Sequence, residues 1–420
     1  MNVQRVKYQY RVIDRRAGGD QPPLLAVSIH HGVVRRDTFT DDLPRAEDLS
    51  NYKLCEPGDI VLNRMRAFQG AIGISPQRGL VSPDYAVLRP GPDVDARYLH
   101  HLFRSSWFVG EMVSRLRGIG NTENGAVRTP RINPEDLGEI LMDFPPLDEQ
   151  RRIADFLDAE TARIDHIITI RRQQSALGAQ RFSLLLDGAV IGDADALAAI
   201  EYSKGATDWS IGKITRLFDI IPGYAFASEG FVEPEVGTSL LRGINVAPGQ
   251  IDWEAETVAW DLESSPVDRR FHLRRDDLVI GMDRPWISGG TRVALIRETD
   301  LPSLLLQRVA CIRSRSTSTT RYLRWVLGSI HFQVALEAET TGVSVPHISA
   351  EQIGAFMYRL PSPDNQVLLA DLLQSHDDVR TAQAELVNRQ LAVLAERRQA
   401  LITAAVTGQV DITTARGVAV

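Results

Sequence analysis

Two long stretches of the chain carry apolar residues at helical spacing. In the first, Ile153, Leu157, Ile164, Ile167 and Ile168 form a stripe on one face. In the second, Leu372, Val379, Leu386 and Val393 recur every seven residues, with Val387, Leu394 and Leu401 beside them at the same period. Both stretches have start and stop signals. Pro145-Pro146 halts the preceding segment, and Asp148 and Glu149 place acid in the first turn. Ser362-Pro363-Asp364 supplies a cap, a first-turn proline and an acid in the second. Gly192 and Gly408 are the expected C-terminal stops. Each helix then has roughly 44 residues and a length of roughly 65 Å. A lone helix of this kind leaves its stripe in water, whereas two of equal length pair antiparallel and bury both. The alternative is that each helix packs on its own neighbouring globular unit.

Elsewhere the apolar runs are short and punctuated by Gly and Pro. IVLN, YAVLRP, DLVIGM, TRVALIR and QRVACIRS read as strands with tight turns. WFVGEMVSRLRG and the two RYL segments read as short helices. The class is α+β.

The chain repeats itself. Gln150 of PPLDEQ and Gln366 of PSPDNQ stand 216 residues apart, as do Arg131-Ile132 and His347-Ile348, and Gly192 and Gly408. PLLAVSIHHGVV matches SLLRGINVAPGQI at the same offset, GDIVLNRMR matches DDLVIGMDR at 218, and RYLHHLF matches RYLRWVL at 224. The order is globular unit, long helix, globular unit, long helix. The globular units diverge and carry the insertions; the helical parts hold their length. PSPDNQ lacks the Glu of PPLDEQ, and the first copy shows no evident counterpart to WSIGKITRLF from Trp209.

Composition narrows the class further. The 420 residues exceed one core of common size. Hydrophobic residues make up 44% and charged residues 24%, as in soluble globular proteins. No apolar run approaches a membrane span, and the polar, basic N-terminus is not a signal peptide. Cys55 and Cys311 are far apart and read as ordinary thiols. The net charge of −7 argues mildly against non-specific nucleic-acid coating, although acidic helices can lie far from a basic face. Lysine occurs only at Lys7, Lys53, Lys204 and Lys213, so arginine carries nearly all positive charge. Codon usage explains that bias, and guanine or phosphate recognition is compatible with it.

Catalytic signatures are missing. The sequence has no GxxxxGK[ST] loop, GxSxG elbow, HExxH or NPPY-like tetrapeptide, and no lysine two residues after an acid. GIGNTENG from Gly118 has the wrong spacing for a dinucleotide loop. His30-His31 and His100-His101 lack the surrounding acids and cysteines of a metal site. No catalytic residue, metal site or cofactor is expected.

PPLDEQRRIADFLDAETARID, from Pro145 to Asp165, resembles the conserved region that follows each target-recognition domain in type I restriction-modification specificity subunits. RRQALITAAVTGQVD, from Arg397 to Asp411, resembles the C-terminal signature of that family, and LLAVSIHHGVV, NYKLCEPGDIVLNRMRAFQGAIGIS and GLVSPDYAVLRP resemble its recognition domains. The resemblance covers nearly the whole chain. It implies residues 1–146 and 208–361 as two recognition domains, 147–207 as the first conserved helical region with a linker, and 362–420 as the second with a tail. It also implies a cytoplasmic, non-catalytic subunit of a DNA methylation and phage-defence complex. Each recognition domain would read half of a bipartite site in double-stranded DNA. The paired helices would form an antiparallel coiled coil, set the gap and dock two methyltransferase subunits. Separate restriction subunits would supply ATP-driven translocation and cleavage.

Within that frame Asn63, Arg64 and Arg66 follow the strand GDIVL, and Asn121, Asn124, Arg128 and Arg131 form a second cluster. Arg242, Asn245, Arg284 and Trp286 are the candidates in the second unit. Arginine forks onto guanine and asparagine pairs with adenine. The ordinary alternatives are a solvated ion pair, a turn asparagine and, for Trp286, core packing. The helical spacer is assigned to Ile153, Leu157, Ile164 and Ile168 and to Leu372, Val379, Leu386 and Val393. Two other classes compete: a coiled-coil scaffold that binds only protein, and a fused methyltransferase or nuclease.

Overall fold

The computed structural model describes residues 3–29, 31–38, 48–116, 130–315, 320–337, 346–410 and 412. Contacts divide the chain into two units, one of residues 1–172 with 388–420, the other of residues 173–387. The boundaries therefore fall inside the long helices.

In the first unit, β1 (Val3–Arg5), β2 (Tyr10–Ile13), β3 (Ile60–Asn63), β4 (Ile72–Ile74), β5 (Tyr85–Pro90) and β6 (Leu141–Asp143) form two sheets. The larger is antiparallel throughout in the order β2-β5-β3-β4, and β1 pairs with β6. Ile60, Val61 and Leu62 are all buried, as a central strand covered on both faces requires. Helix α1 (Ala96–Arg104) starts at Asp95, whose carboxylate accepts the Arg97 and Tyr98 N–H groups. It packs Tyr98, Leu99, Leu102 and Phe103 into the core. The long helix α2 (Leu147–Ile191) begins here and adds Ile153 and Leu157. Each such side chain contributes about 1.5–3 kcal/mol by burial.

The second unit repeats this plan with β7 (Ser210–Lys213), β8 (Phe218–Pro222), β9 (Leu278–Gly281), β10 (Val293–Leu295), β11 (Val309–Ser314) and β12 (Met357–Leu360). The sheet order is β8-β11-β9-β10, again antiparallel, and β7 pairs with β12. Helices α3 (Thr320–Gly328) and α4 (Pro363–Val406) take the places of α1 and α2. The registers match: Ile211 faces Arg359 as Val3 faces Asp143. This corrects the reading of the N-terminal segment. VQRVKYQY is the counterpart of the segment opening at Trp209, for Val6 and Ile214 are both fully buried and donate their N–H groups to Ile140 and Phe356. The two stretches share geometry and little side-chain identity.

The grouping of α2 and α4 follows antiparallel pairing. The first part of α2 lies with the last part of α4 in one unit, where Arg398 bonds Asp165 at 3.0 Å. The last part of α2 lies with the first part of α4 in the other, where the Arg380 guanidinium sits 5.5 Å from the Phe182 ring centre. Tyr98 donates to the Val406 carbonyl, and Tyr322 to that of Val190, 216 residues earlier. Arg97 pairs with Asp155 and Arg321 with Asp371 in the same equivalent way. Gly192 and Gly408, both at positive φ, end the two helices.

One spacer assignment is overturned. Ile153, Leu157 and Ile164 are buried and Ile168 half-buried. On α4, however, Val379, Leu386 and Val393 are 56%, 51% and 63% exposed, and Leu372 is only half-buried. The covered row runs one residue later, through Leu373, Arg380, Val387, Leu394 and Leu401. Both rows have the period of seven, and adjacent residues differ by only 100° around a helix. The pattern permits either row, and the contact of Arg380 with Phe182 belongs to the covered one.

Candidate nucleic-acid interface

The strand β3 ends in a turn shaped by its own side chains. The Asn63 carbonyl group of the side chain accepts the Met65 N–H at 3.1 Å, and its backbone carbonyl accepts the Arg66 N–H at 2.9 Å. The Arg64 guanidinium is used internally, donating to the Ile132 carbonyl at 3.3 Å and to the Asn133 side chain. Ile132 N–H returns to the Arg64 carbonyl at 3.0 Å. Arg66 and Arg131 are exposed. The structure therefore joins the 63–66 turn to the 131–133 segment but gives its members different tasks. Asn63 and Arg64 shape the turn, and Arg66 and Arg131 are free to reach outward. Asn121, Asn124 and Arg128 lie outside the described residues.

The equivalent turn after β9 is more heavily charged. Met282 exchanges backbone bonds with Arg308 and Ile348, and Arg284 N–H donates to the Pro346 carbonyl at 2.8 Å. Asp283 receives Arg308 at 2.7 Å and His347 at 2.6 Å on its two carboxylate oxygens. Burial would raise the Asp283 carboxyl, but these two hydrogen bonds outweigh it and hold it below the usual carboxylate range. Burial pulls Arg292 downward; its guanidinium donates to the Asp283 and Val246 carbonyls. Arg284 is exposed and has φ +45°. Trp286 is half-buried in the hairpin of Trp286–Ile287 with Gly290–Thr291 and packs on the core.

Arg242 and Asn245 depart from their expected role. Asn245 is fully buried, accepts the Arg242 N–H, and donates to the Asp252 carbonyl at 3.0 Å. Its amide closes a turn and offers nothing outward. Arg242 is half-buried and donates to the Glu256 carbonyl.

The sequence reading missed Asp283, Arg292, Arg308 and His347. Asp283 and His347 carried a signal, through their alignment with Met65 and Arg131. It also missed an ion pair with a buried carboxylate in each unit. Asp59 accepts both nitrogens of the Arg89 fork at 2.8 Å, and Asp277 accepts the Arg313 fork at 2.8 and 2.6 Å. Among the described residues no cluster could hold a metal, and no helix is long and apolar enough to cross a membrane.

No family model matches the chain. It is 34% identical over 158 residues to the type I restriction enzyme EcoAI specificity subunit of Escherichia coli, covering 36% of this chain and 25% of that protein. It is 24% identical over 289 residues to the type I restriction enzyme MjaVIII specificity subunit of Methanocaldococcus jannaschii, covering 67% of this chain and 65% of that one. These alignments span less than two thirds of the relatives' own lengths. Among solved structures, one described as the basis of complex assembly and conformational transition of the type I R-M system matches with a TM-score of 0.71 at 17% identity, covering 97% of this chain and 98% of the other. The HsdS subunit from Thermoanaerobacter tengcongensis matches with a TM-score of 0.51 at 18% identity and 97% coverage of both chains. The fold is shared with these structures, and the resemblance read from the sequence motifs holds.

Proposed function

We propose that this chain, a relative of the type I restriction enzyme specificity subunits, reads a split DNA target with its two units and has no catalysis of its own. One observation carries the reading: two units with the same sheet order and register end the same strand in a turn that presents an exposed arginine, Arg66 in one and Arg284 in the other. Equal scaffolds with different turns suit two different half-sites. Phosphate contacts supply most of the affinity, and Arg66, Arg131 and Arg284 contact base edges. The chain works in the cytoplasm beside methyltransferase and restriction subunits, which supply methyl transfer and ATP-driven cleavage.

The test is co-expression with the methyltransferase subunit, followed by mapping of methylated bases across the host genome. A single motif of two fixed blocks around an unread gap supports the reading. An assembled complex that adds no methylation, or a motif without a gap, sinks it. Inserting four residues, about one turn, into both long helices should lengthen the gap and leave both blocks unchanged. A changed block would overturn the spacer role.

The exposed row on α4 is the proposed docking face for the methyltransferase subunits. Changing Val379, Leu386 and Val393 together to glutamine should alter the stability of the chain by less than about 0.5 kcal/mol, since these side chains are already in water. Affinity for the methyltransferase should fall by about tenfold or more. Unchanged affinity in a titration of the two purified proteins would place the docking face elsewhere.

A further inference from the structure

We infer that Asp283 is a positioning residue for base reading by the second unit, acting through Arg284; this rests on the DNA-reading proposal above. An arginine at φ +45° occupies a backbone region that side chains disfavour, and such a conformation persists only where the surroundings over-determine it. Here the constraints converge on the residue before it. The Asp283 carboxylate holds Arg308 on one oxygen and His347 on the other. Its backbone carbonyl accepts the Arg292 guanidinium at 3.0 Å, and Arg292 N–H in turn bonds the Pro285 carbonyl at 2.6 Å. Residues 283 and 285 are thus clamped from three separate segments, β11's approach at Arg308, the β10 approach at Arg292, and the stretch before Ile348. Arg284 between them gives only its N–H, to Pro346. Its guanidinium has no partner among the described residues and faces solvent.

Charge supports the same assignment. Asp283 is one carboxylate among Arg284, Arg292 and Arg308, three cations whose mutual repulsion would spread the turn without it. A backbone held at one φ fixes where the Arg284 side chain sets out from, so less backbone freedom is lost on binding a guanine edge. Among the described residues the first unit has no such hub. Met65 stands where Asp283 stands and Arg131 where His347 stands, and the turn is tied instead by Arg64 to Asn133 and Ile132. Loss of the Asp283 carboxylate should therefore act on one half of the target only.

The experiment maps methylation by the full chain with its methyltransferase partner, for the wild type and for Asp283→Asn, Arg308→Gln and Arg284→Ala, with a thermal melt of each. Arg308 is a mostly exposed side chain, so its variant keeps the test open if Asp283→Asn folds poorly. The expected result is a rise of about tenfold or more in methylation at sites with a substituted base in one block. The same block should relax in all three variants, with the other block and the gap as strict as in the wild type. Arg284→Ala relaxing a block while Asp283→Asn and Arg308→Gln leave it strict would overturn the positioning role and spare the reading function. Relaxation that only tracks a lowered melting temperature, or that affects both blocks equally, would reduce Asp283 to a structural residue. A strict motif in all three variants would overturn both the inference and the base-reading role of Arg284.

Discussion

Replacing Asp277 with alanine is expected to lower the stability of the second unit by about 3–5 kcal/mol. The carboxylate is 3% exposed and its partner Arg313 13%, and the pair is bidentate. Asp277 also accepts the Arg274 N–H at 2.8 Å. Alanine leaves a guanidinium without its counter-charge between β9 and β11, and the carbonyls of Arg270 and His272 satisfy only part of its hydrogen bonding. The matching change in the first unit provides the control. Asp59 is equally buried and accepts the Glu56 N–H, but Arg89 is 45% exposed and turns into water once released. Asp59→Ala should therefore cost about 1–3 kcal/mol, the cost of orphaned hydrogen bonds rather than of a stranded charge. Urea titration measures both, with hydrogen exchange locating each loss. Equal losses, or a larger loss at Asp59, would show that the exposure of the arginine does not decide the cost.

Acid should destabilise the first unit through His100. This residue of α1 has its Nδ1 sealed from water and unbonded among the described residues, with Arg104, Arg398 and His101 around it. Burial first, then these neighbours, pushes its pKa down to about 3. The folded unit therefore refuses a proton that the unfolded chain accepts at about 6.5. The unfolded state binds more protons below that value, so stability is complete above about pH 7 and falls as pH drops toward 3. The loss is on the order of 1 kcal/mol near pH 5.5 and grows to a few kcal/mol near pH 4.5. His100→Leu removes the titrating group and should flatten this part of the profile. Carboxylates contribute alike to both proteins, so the difference between their pH profiles isolates the imidazole. Parallel profiles would show that the ring is hydrated in the native state.

The Gln150 motif shows how a sequence signal can be right before its reason is known. PPLDEQ and PSPDNQ align on a glutamine, and the loss of Glu in the second copy looks like a defect. In the structure the glutamine is what the motif positions. Gln150 donates to the Pro145 carbonyl at 2.9 Å and accepts the Asp95 N–H at 3.0 Å, tying the start of α2 to the start of α1. Gln366 donates to the Pro361 carbonyl at 2.8 Å. The Glu position has no part in this tie, so Asn365 is tolerated there. The turn after β3 shows the opposite case. Asn63 and Arg64 have the right chemistry for base edges and sit in the expected loop, yet the Asn63 side-chain oxygen and the Arg64 guanidinium are committed to neighbours 2 to 69 residues away. Residue type marks a competence, and only the surroundings say whether it is already used.

The repeat, the two long helices with their glycine stops, the α+β class and the strands β3, β5, β9, β10 and β11 are legible in the sequence. These follow from a period of seven, from short apolar runs and from Gly and Pro punctuation, which act over a few residues. Tertiary structure alone decided which of two adjacent rows on α4 is covered, that each long helix begins in one unit and ends in the other, and that Asp283 clamps the turn carrying Arg284. It also decided that Asn245 is enclosed. Each of these depends on groups that chain proximity does not bring together: Phe182 with Arg380, Val406 with Tyr98, His347 with Asp283. A local period leaves such choices nearly equal in energy, and close packing of distant segments selects among them.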